Sequence, residues 1–202
     1  LKKVTLGTEN MTIDSILAKD LVGADQLTKE EMLFLMKTKD PADLDKIFKK
    51  AYEVKCAYVK NMAYYRGLIE FSNRCIKDCK YCGIRRSNDK TDRFDMERED
   101  ILAMAKWAYE HEYGSICLQS GERMDEAFVS YVEGVLRDVK ELTNHEIGIT
   151  LCVGEHTEDS YRRVHEAGAD RSLLRIETTS PELYENIHPT DDLPSFQSRV
   201  NC

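Results

Sequence analysis

"LIEFSNRCIKDCKYCGIRR" (68–86) opens as a strand and runs directly into a loop of cysteines. "LIEFS" (68–72) is short and mostly apolar, the pattern of a strand buried in a sheet. Cys75, Cys79 and Cys82 follow as CxxxCxxC, three of the chain's seven cysteines within eight residues. Parallel α/β folds carry their chemistry on the loops that leave the carboxyl ends of the strands. This stretch predicts such a strand with such a loop.

The same pairing recurs downstream. "EREDILAMAKWAYEHE" (97–112) reads as a helix with Ile101, Ala105 and Ala108 on one side, and "SICLQ" (115–119) as a strand. "DEAFVSYVEGVLRDVKELT" (125–143) places Phe128, Val132, Val135, Val139 and Leu142 at steps of four and three, one face of a helix. "EIGITLCV" (146–153) is the third strand, and "TEDSYRRVHEAG" (157–168) a helix closed by Gly168. "RSLLRIE" (171–177) is the fourth strand, and "SPELYENIH" (180–188) a helix with Pro181 in its first turn. Four alternations with apolar strands predict βα units on a parallel sheet covered on both faces. Four units are half of an eightfold (β/α)8 barrel of the TIM type, or a small open sheet.

Residues 1–67 form a separate helical segment in this reading, and residues 68–202 the partial barrel. Thr28 followed by Glu31 is a capping box for a helix over 27–39. Residues 41–67 predict one long amphipathic helix, with Ile47, Ala51, Val54, Tyr58 and Met62 on its apolar face and Gly67 at its end. The chain starts at Leu1, has a plausible initiator at Met11, and stops within the helical pattern "FQSRVNC". The expectation is a fragment, truncated at the C-terminus, whose first and fourth strands keep unpaired edges and favour self-association.

Composition sets outer limits. Hydrophobic residues at 42% and charged residues at 33% describe a globular chain, with no apolar run long enough to span a bilayer. A net charge of −8 argues against a general nucleic-acid binder. The odd cysteine count and the lack of an export signal point to a reducing, cytoplasmic setting, where clustered cysteines bind metal.

Each strand end carries a polar or metal-binding group: the cysteine loop, "QSGE" (119–122), "CVGE" (152–155) and "RIETT" (175–179). A closed tetrahedral zinc site wants a fourth Cys or His, and an electron-transfer iron–sulfur site four thiolates. Three thiolates fit a cluster that leaves one iron for another ligand, while a loop of unliganded cysteines is the bland alternative. Residues 74–98 hold eight basic and five acidic residues, a net of +3 inside the acidic chain. That positive charge is expected to favour thiolates; a solvated loop would carry it equally well.

CxxxCxxC with an aromatic, Tyr81, before the last cysteine resembles the signature of radical S-adenosylmethionine (SAM) enzymes. "IEFSNRCIKDCKYCGIRRSN", "LQSGE", "GADRSLLRIETTSPELY" and the "HP" that follows are similar to the HydE-type maturases of FeFe-hydrogenase within that superfamily. The resemblance implies that Cys75, Cys79 and Cys82 hold a 4Fe-4S cluster and that SAM chelates its fourth iron. Reductive cleavage of SAM then yields a 5′-deoxyadenosyl radical, here in maturation of the hydrogenase active-site cluster. By the same resemblance Tyr81 lies near the adenine. Gln119, Ser120, Gly121 and Glu122 stand at the motif that meets the SAM amino group, with Ser120 in place of the usual glycine. Glu155 and Arg175 hold SAM, and Glu177 faces the cavity. Independently, a planar guanidinium such as that of Arg175 suits a carboxylate, and a carboxylate such as Glu155 suits an ammonium or ribose hydroxyls. A salt-bridge set lining the barrel mouth is the structural alternative for Glu155, Arg175 and Glu177.

The implied partners are a small-molecule or organometallic iron substrate, an electron donor such as ferredoxin or flavodoxin, and other hydrogenase maturases, with no nucleic acid and no membrane. Methylornithine synthase and biotin synthase share the core motifs and are the nearest alternatives. A non-catalytic iron–sulfur electron-transfer module is the rival of another class, and it has no need of groups on the other three strand ends. Cys117 and Cys152, within strands, read as core hydrophobes. Cys56 reads as packing in the long helix, Trp107 as core, and His188 as structural at a helix end.

Overall fold

The computed structural model describes residues 11–23, 25–188 and 195–202. The chain divides into two compact units, Leu1–Ala63 and Tyr64–Cys202.

In the first unit, α1 (Ile13–Leu17), α2 (Lys29–Lys37) and α3 (Pro41–Val59) each begin at a side-chain cap. Thr12 and Thr28 close capping boxes with Ser15 and Glu31, and Asp40 accepts from the amides of Ala42 and Asp43. These caps satisfy amides that a helix start leaves orphaned. Helix α3 is shorter than its apolar period predicts. It stops at Val59, where Lys60 takes a φ of 60° as the cap, so Tyr58 remains on the helix and Met62 falls beyond it. Gly67 lies in the following strand instead, where an added Cβ would press to 3.0 Å from Ile116 Cγ2.

The second unit is built on a four-stranded sheet in the order β1 (Arg66–Ser72), β2 (Ser115–Ser120), β3 (Gly148–Cys152), β4 (Arg171–Ser172), every pair parallel. Helices α4 (Arg98–Glu110), α5 (Glu126–Leu142) and α6 (Glu158–Glu166) connect the strands, and α7 (Pro181–Ile187) and α8 (Phe196–Asn201) follow. These are βα units of the TIM-type barrel. The fourth strand is two residues long rather than seven, because Leu173–Glu177 leave the ladder after the Leu173 amide bonds the Leu151 carbonyl.

Alternation of side chains along the strands decides the two faces. Ile69, Phe71, Ile116, Leu118, Ile149 and Leu151 are buried and join Ile101, Ala105, Phe128, Val132, Leu136 and Val139 in one helix-facing core. Burial of each Val, Leu, Ile or Phe among them contributes about 1.5–3 kcal/mol. Leu142 falls off the end of that face and is exposed. The opposite face carries Leu68, Cys117 and Thr150 in one register row and Glu70, Gln119 and Cys152 in the next. There Leu68 is 60% exposed and Glu70 is exposed, so the two faces are not equally covered. Cys117 and Cys152 are buried, as small strand hydrophobes should be. Trp107 is not core: it is 51% exposed and stacks on His111 with ring centroids 4.0 Å apart.

Candidate functional site

Residues 73–97 leave β1 and fold back along its end. Asn73 anchors the return, its amide reaching Phe94 O, its side-chain oxygen accepting from the Phe94 amide and its amide nitrogen donating to Asp92 O. Arg93 then donates to four backbone carbonyls, those of Asn73, Ile84, Arg85 and Asn88, at 2.7–3.1 Å. A guanidinium with five donors suits such a cradle. Several basic residues of this segment therefore hold the loop's shape: Arg93 cradles its carbonyls, Arg74 pairs with Asp95, and Lys77 is buried.

The loop is stitched to its neighbours. Gly121 N–H donates to Ser72 O, Ile76 N–H to Glu122 O, and Glu122 N–H to Cys75 Sγ at 3.3 Å. On the other side, Lys80 N–H donates to Ile187 O at the end of α7. His188, the C-cap of α7, donates from Nδ1 to Tyr184 O, which leaves Nε2 to accept the Tyr81 hydroxyl at 2.9 Å. His188 is thus structural, as its position predicts, and it also fixes Tyr81. Pro189 of the "HP" pair lies outside the described residues.

One cavity of about 130 Å³ gathers the strand ends. It is lined by Cys75, Cys79, Cys82 and Tyr81 from the first loop, Ser120, Gly121 and Glu122 from the second, and Arg175 and Glu177 from the fourth. Cys152, Gly154, Leu173 and Leu174 complete the wall, with Lys77 and Arg199. Glu177 sits at φ 63°, a left-handed conformation uncommon for a residue with a Cβ. Two predicted residues stand behind the wall. Gln119 donates to Glu70 and accepts from Arg175 at 2.8 Å, and so aims the guanidinium. Glu155 is buried and bonds Lys77 Nζ at 3.0 Å.

Positive charge does not dominate the thiols. Burial is the largest influence on Cys75 and Cys79 and pushes both up, ahead of the amides of Lys77 and Glu122, which pull Cys75 the other way. The expected thiolate-favouring field is outweighed by desolvation. Among the described residues, no three His, Cys, Asp or Glu side chains converge on one ion-sized point. Three part-buried thiols along one wall suit a cluster with a separate iron for each sulfur better than a single tetrahedral ion.

Sequence reasoning missed three participants. In the sequence Lys77 reads merely as loop charge, yet its ammonium lies 3.2 Å from Glu122 and 3.0 Å from Glu155. Arg199, on α8, reaches the same two carboxylates at 3.2 and 3.3 Å, and no motif marks it. Gly154 takes φ 100°, and a Cβ there would fall into the Glu122 side chain. A glycine two residues past a strand end is the available signal for it.

The family model of the radical SAM superfamily matches residues 69–195. The chain is 37% identical over 178 residues to the [FeFe] hydrogenase maturase subunit HydE of Thermotoga maritima, covering 88% of this chain and 49% of that protein. It is 27% identical to biotin synthase of Staphylococcus aureus, over 85% of this chain and 50% of that one. The structure of methylornithine synthase superposes with a TM-score of 0.75 at 22% identity, over 94% of this chain and 54% of that one. The chain spans about half the length of the curated relatives it matches.

Proposed function

The chain belongs to the radical SAM superfamily, and from that premise we propose that its strand-end cavity holds a 4Fe-4S cluster and SAM for a step in FeFe-hydrogenase maturation. The observation that carries the reading is the convergence of groups from all four strand ends, with three thiols on one wall and Glu122, Arg175 and Glu177 on the others. Cluster and SAM together supply one-electron cleavage of a sulfonium carbon–sulfur bond.

The chain's own residues then divide the remaining work. Cys75, Cys79 and Cys82 ligate iron, and the Glu122 amide donates to Cys75 Sγ and offsets sulfur charge. Glu122 would receive the ammonium of the methionyl group and Arg175 its carboxylate, the pairing that a planar fork favours. Tyr81, on the cavity wall, would flank the adenine. Glu155, with Gln119 behind Arg175, orients these groups rather than touching the ligand. Ile84, Leu173 and Leu174 exclude water, which strengthens each charged contact.

The HydE relative is what brings hydrogenase maturation to this chain, with a small-molecule or organometallic iron substrate. A ferredoxin- or flavodoxin-type electron donor, other maturases as partners and a reducing cytoplasmic setting belong to the same proposal. None of the described helices is long and apolar enough to cross a membrane. Anaerobic reconstitution followed by electron paramagnetic resonance tests the site: the reduced cluster's signal is expected to change when SAM is added. A signal indifferent to SAM would mean an electron-transfer cluster.

A further inference from the structure

Arg93 joins both flanks of the cysteine segment. Its Nη1 donates at 2.8 Å to the carbonyl of Asn73, just ahead of Cys75, and at 2.9 Å to that of Ile84, just after Cys82. Its Nη2 donates to the carbonyls of Arg85 and Asn88 at 2.7 and 3.1 Å. One side chain therefore closes the span of chain that carries the three thiols, and Ile84 itself lines their cavity. A planar fork reaches this many acceptors at once, whereas the donors of an ammonium all spread from a single nitrogen.

All four partners are neutral. Carbonyl dipoles solvate a cation but leave its charge standing, and a guanidinium does not shed its proton. Arg93 is half-buried and pairs with no carboxylate among the described residues. Its neighbours in sequence do not supply one. Asp92 is exposed without an ion pair, and Asp95 is held by Arg74 and the Ser72 hydroxyl. By contrast Lys77 lies between Glu122 and Glu155, Arg98 meets Asp138, and Arg123 meets Asp125. Withdrawing an unmatched charge from water is costly, so a fold that keeps one behind a cavity wall gains from an anion nearby. A four-iron core on three thiolates is such an anion, and an added electron increases its charge.

We propose that Arg93 is a positioning residue that doubles as counter-charge: it closes the cysteine loop, and its unmatched cation stabilises the reduced form of the cluster bound there. The inference rests on reading Cys75, Cys79 and Cys82 as cluster ligands. The attraction between guanidinium and cluster grows with the electron gained, so it raises the cluster's reduction potential as well as its retention. A merely structural clamp would move retention alone.

An anaerobic redox titration of the reconstituted protein, followed by electron paramagnetic resonance without SAM, separates the two. Arg93→Gln removes the charge, and is expected to lower the ratio of reduced to oxidised cluster at a fixed potential roughly tenfold, a shift of about 59 mV. Arg93→Lys keeps the charge without the fork, and should retain less iron per chain yet hold that ratio within about threefold of the parent's. A parental potential in Arg93→Gln, or an equal fall in Arg93→Lys, would overturn the role of the charge. Should Arg93→Gln load no cluster, Arg93→Lys decides alone: iron at a near-parental potential supports the counter-charge. Arg93→Lys without iron, or with a shifted potential, would make Arg93 a clamp only and overturn it. A parent protein that forms no four-iron cluster would remove the reading of the cysteines and this role with it, whereas a loaded Arg93→Gln at the parental potential removes this role alone.

Discussion

Gly121 passes so close to Arg74 that a Cβ on Gly121 would collide with the Arg74 carbonyl and fall 2.8 Å from the Cβ of Cys75. The β2 loop is packed backbone-to-backbone against the cysteine loop, and the Glu122 amide that meets Cys75 Sγ depends on that approach.

Gly121→Ala tests the contact. The obstacle is backbone on a loop pinned by Arg93, so it cannot swing aside as a flexible side chain would. We expect a stability loss of about 1–3 kcal/mol and less iron retained per chain after reconstitution. Thermal melting and iron analysis measure the two, and a variant with parental values of both would show that the loops separate easily.

Cys79→Ser should abolish the four-iron cluster. Two remaining thiolates do not hold it in its ordinary form, and a serine hydroxyl is a poor substitute for a soft sulfur ligand. Iron and sulfide are counted against the parent protein. Full stoichiometry with an unaltered spectrum would move the metal site off this loop.

Arg175→Ala separates cluster from SAM. The guanidinium, aimed by Gln119 at 2.8 Å, makes no bond to the cysteine loop, so iron content should stay at the parental level. Losing a charge-assisted pair to a carboxylate should weaken SAM by roughly tenfold or more. An unchanged titration would assign Arg175 to holding Gln119 and Glu70 in place.

Acid stability should depend on Asp170. Its burial would raise the carboxyl, but the bonds from Lys140 Nζ and the Ile149 amide outweigh this and hold it below the usual carboxylate range. A depressed folded pKa contributes stability above the unfolded value of about 3.9, and that contribution is lost as pH falls through the folded value. Asp170→Asn is expected to cost about 1 kcal/mol near neutrality, modest because the carboxyl is partly solvated. The gap to the parent should narrow progressively as pH falls below about 4. Denaturant melts at pH 7 and pH 3 compare the two, and a constant gap would exclude the carboxylate as its cause.

The fold was legible wherever a period ran long enough to be read. Helix α5 spans residues 126–142, and its Phe128, Val132, Val135 and Val139 are buried as their spacing requires. Short elements were less legible. "RSLLRIE" has the composition of a strand, yet ladder pairing stops after Ser172, and pairing depends on a neighbour that composition does not reveal. Gly67 has the look of a helix stop, but α3 has already ended at Val59, with Met62 of its apolar pattern beyond it.

The sequence by itself determined the cysteine spacing, the order of the βα units and the polar group waiting at each strand end. These are local properties, carried by neighbours along the chain. Which charges meet was decided by tertiary structure alone. Lys77 and Arg199 lie at opposite ends of the second unit's sequence, and the parallel sheet with α8 beside it brings both onto Glu122 and Glu155. The physical reason is burial. Once Glu122 and Glu155 are withdrawn from water, any cation within reach is drawn to them. That reach is measured across the fold and not along the chain.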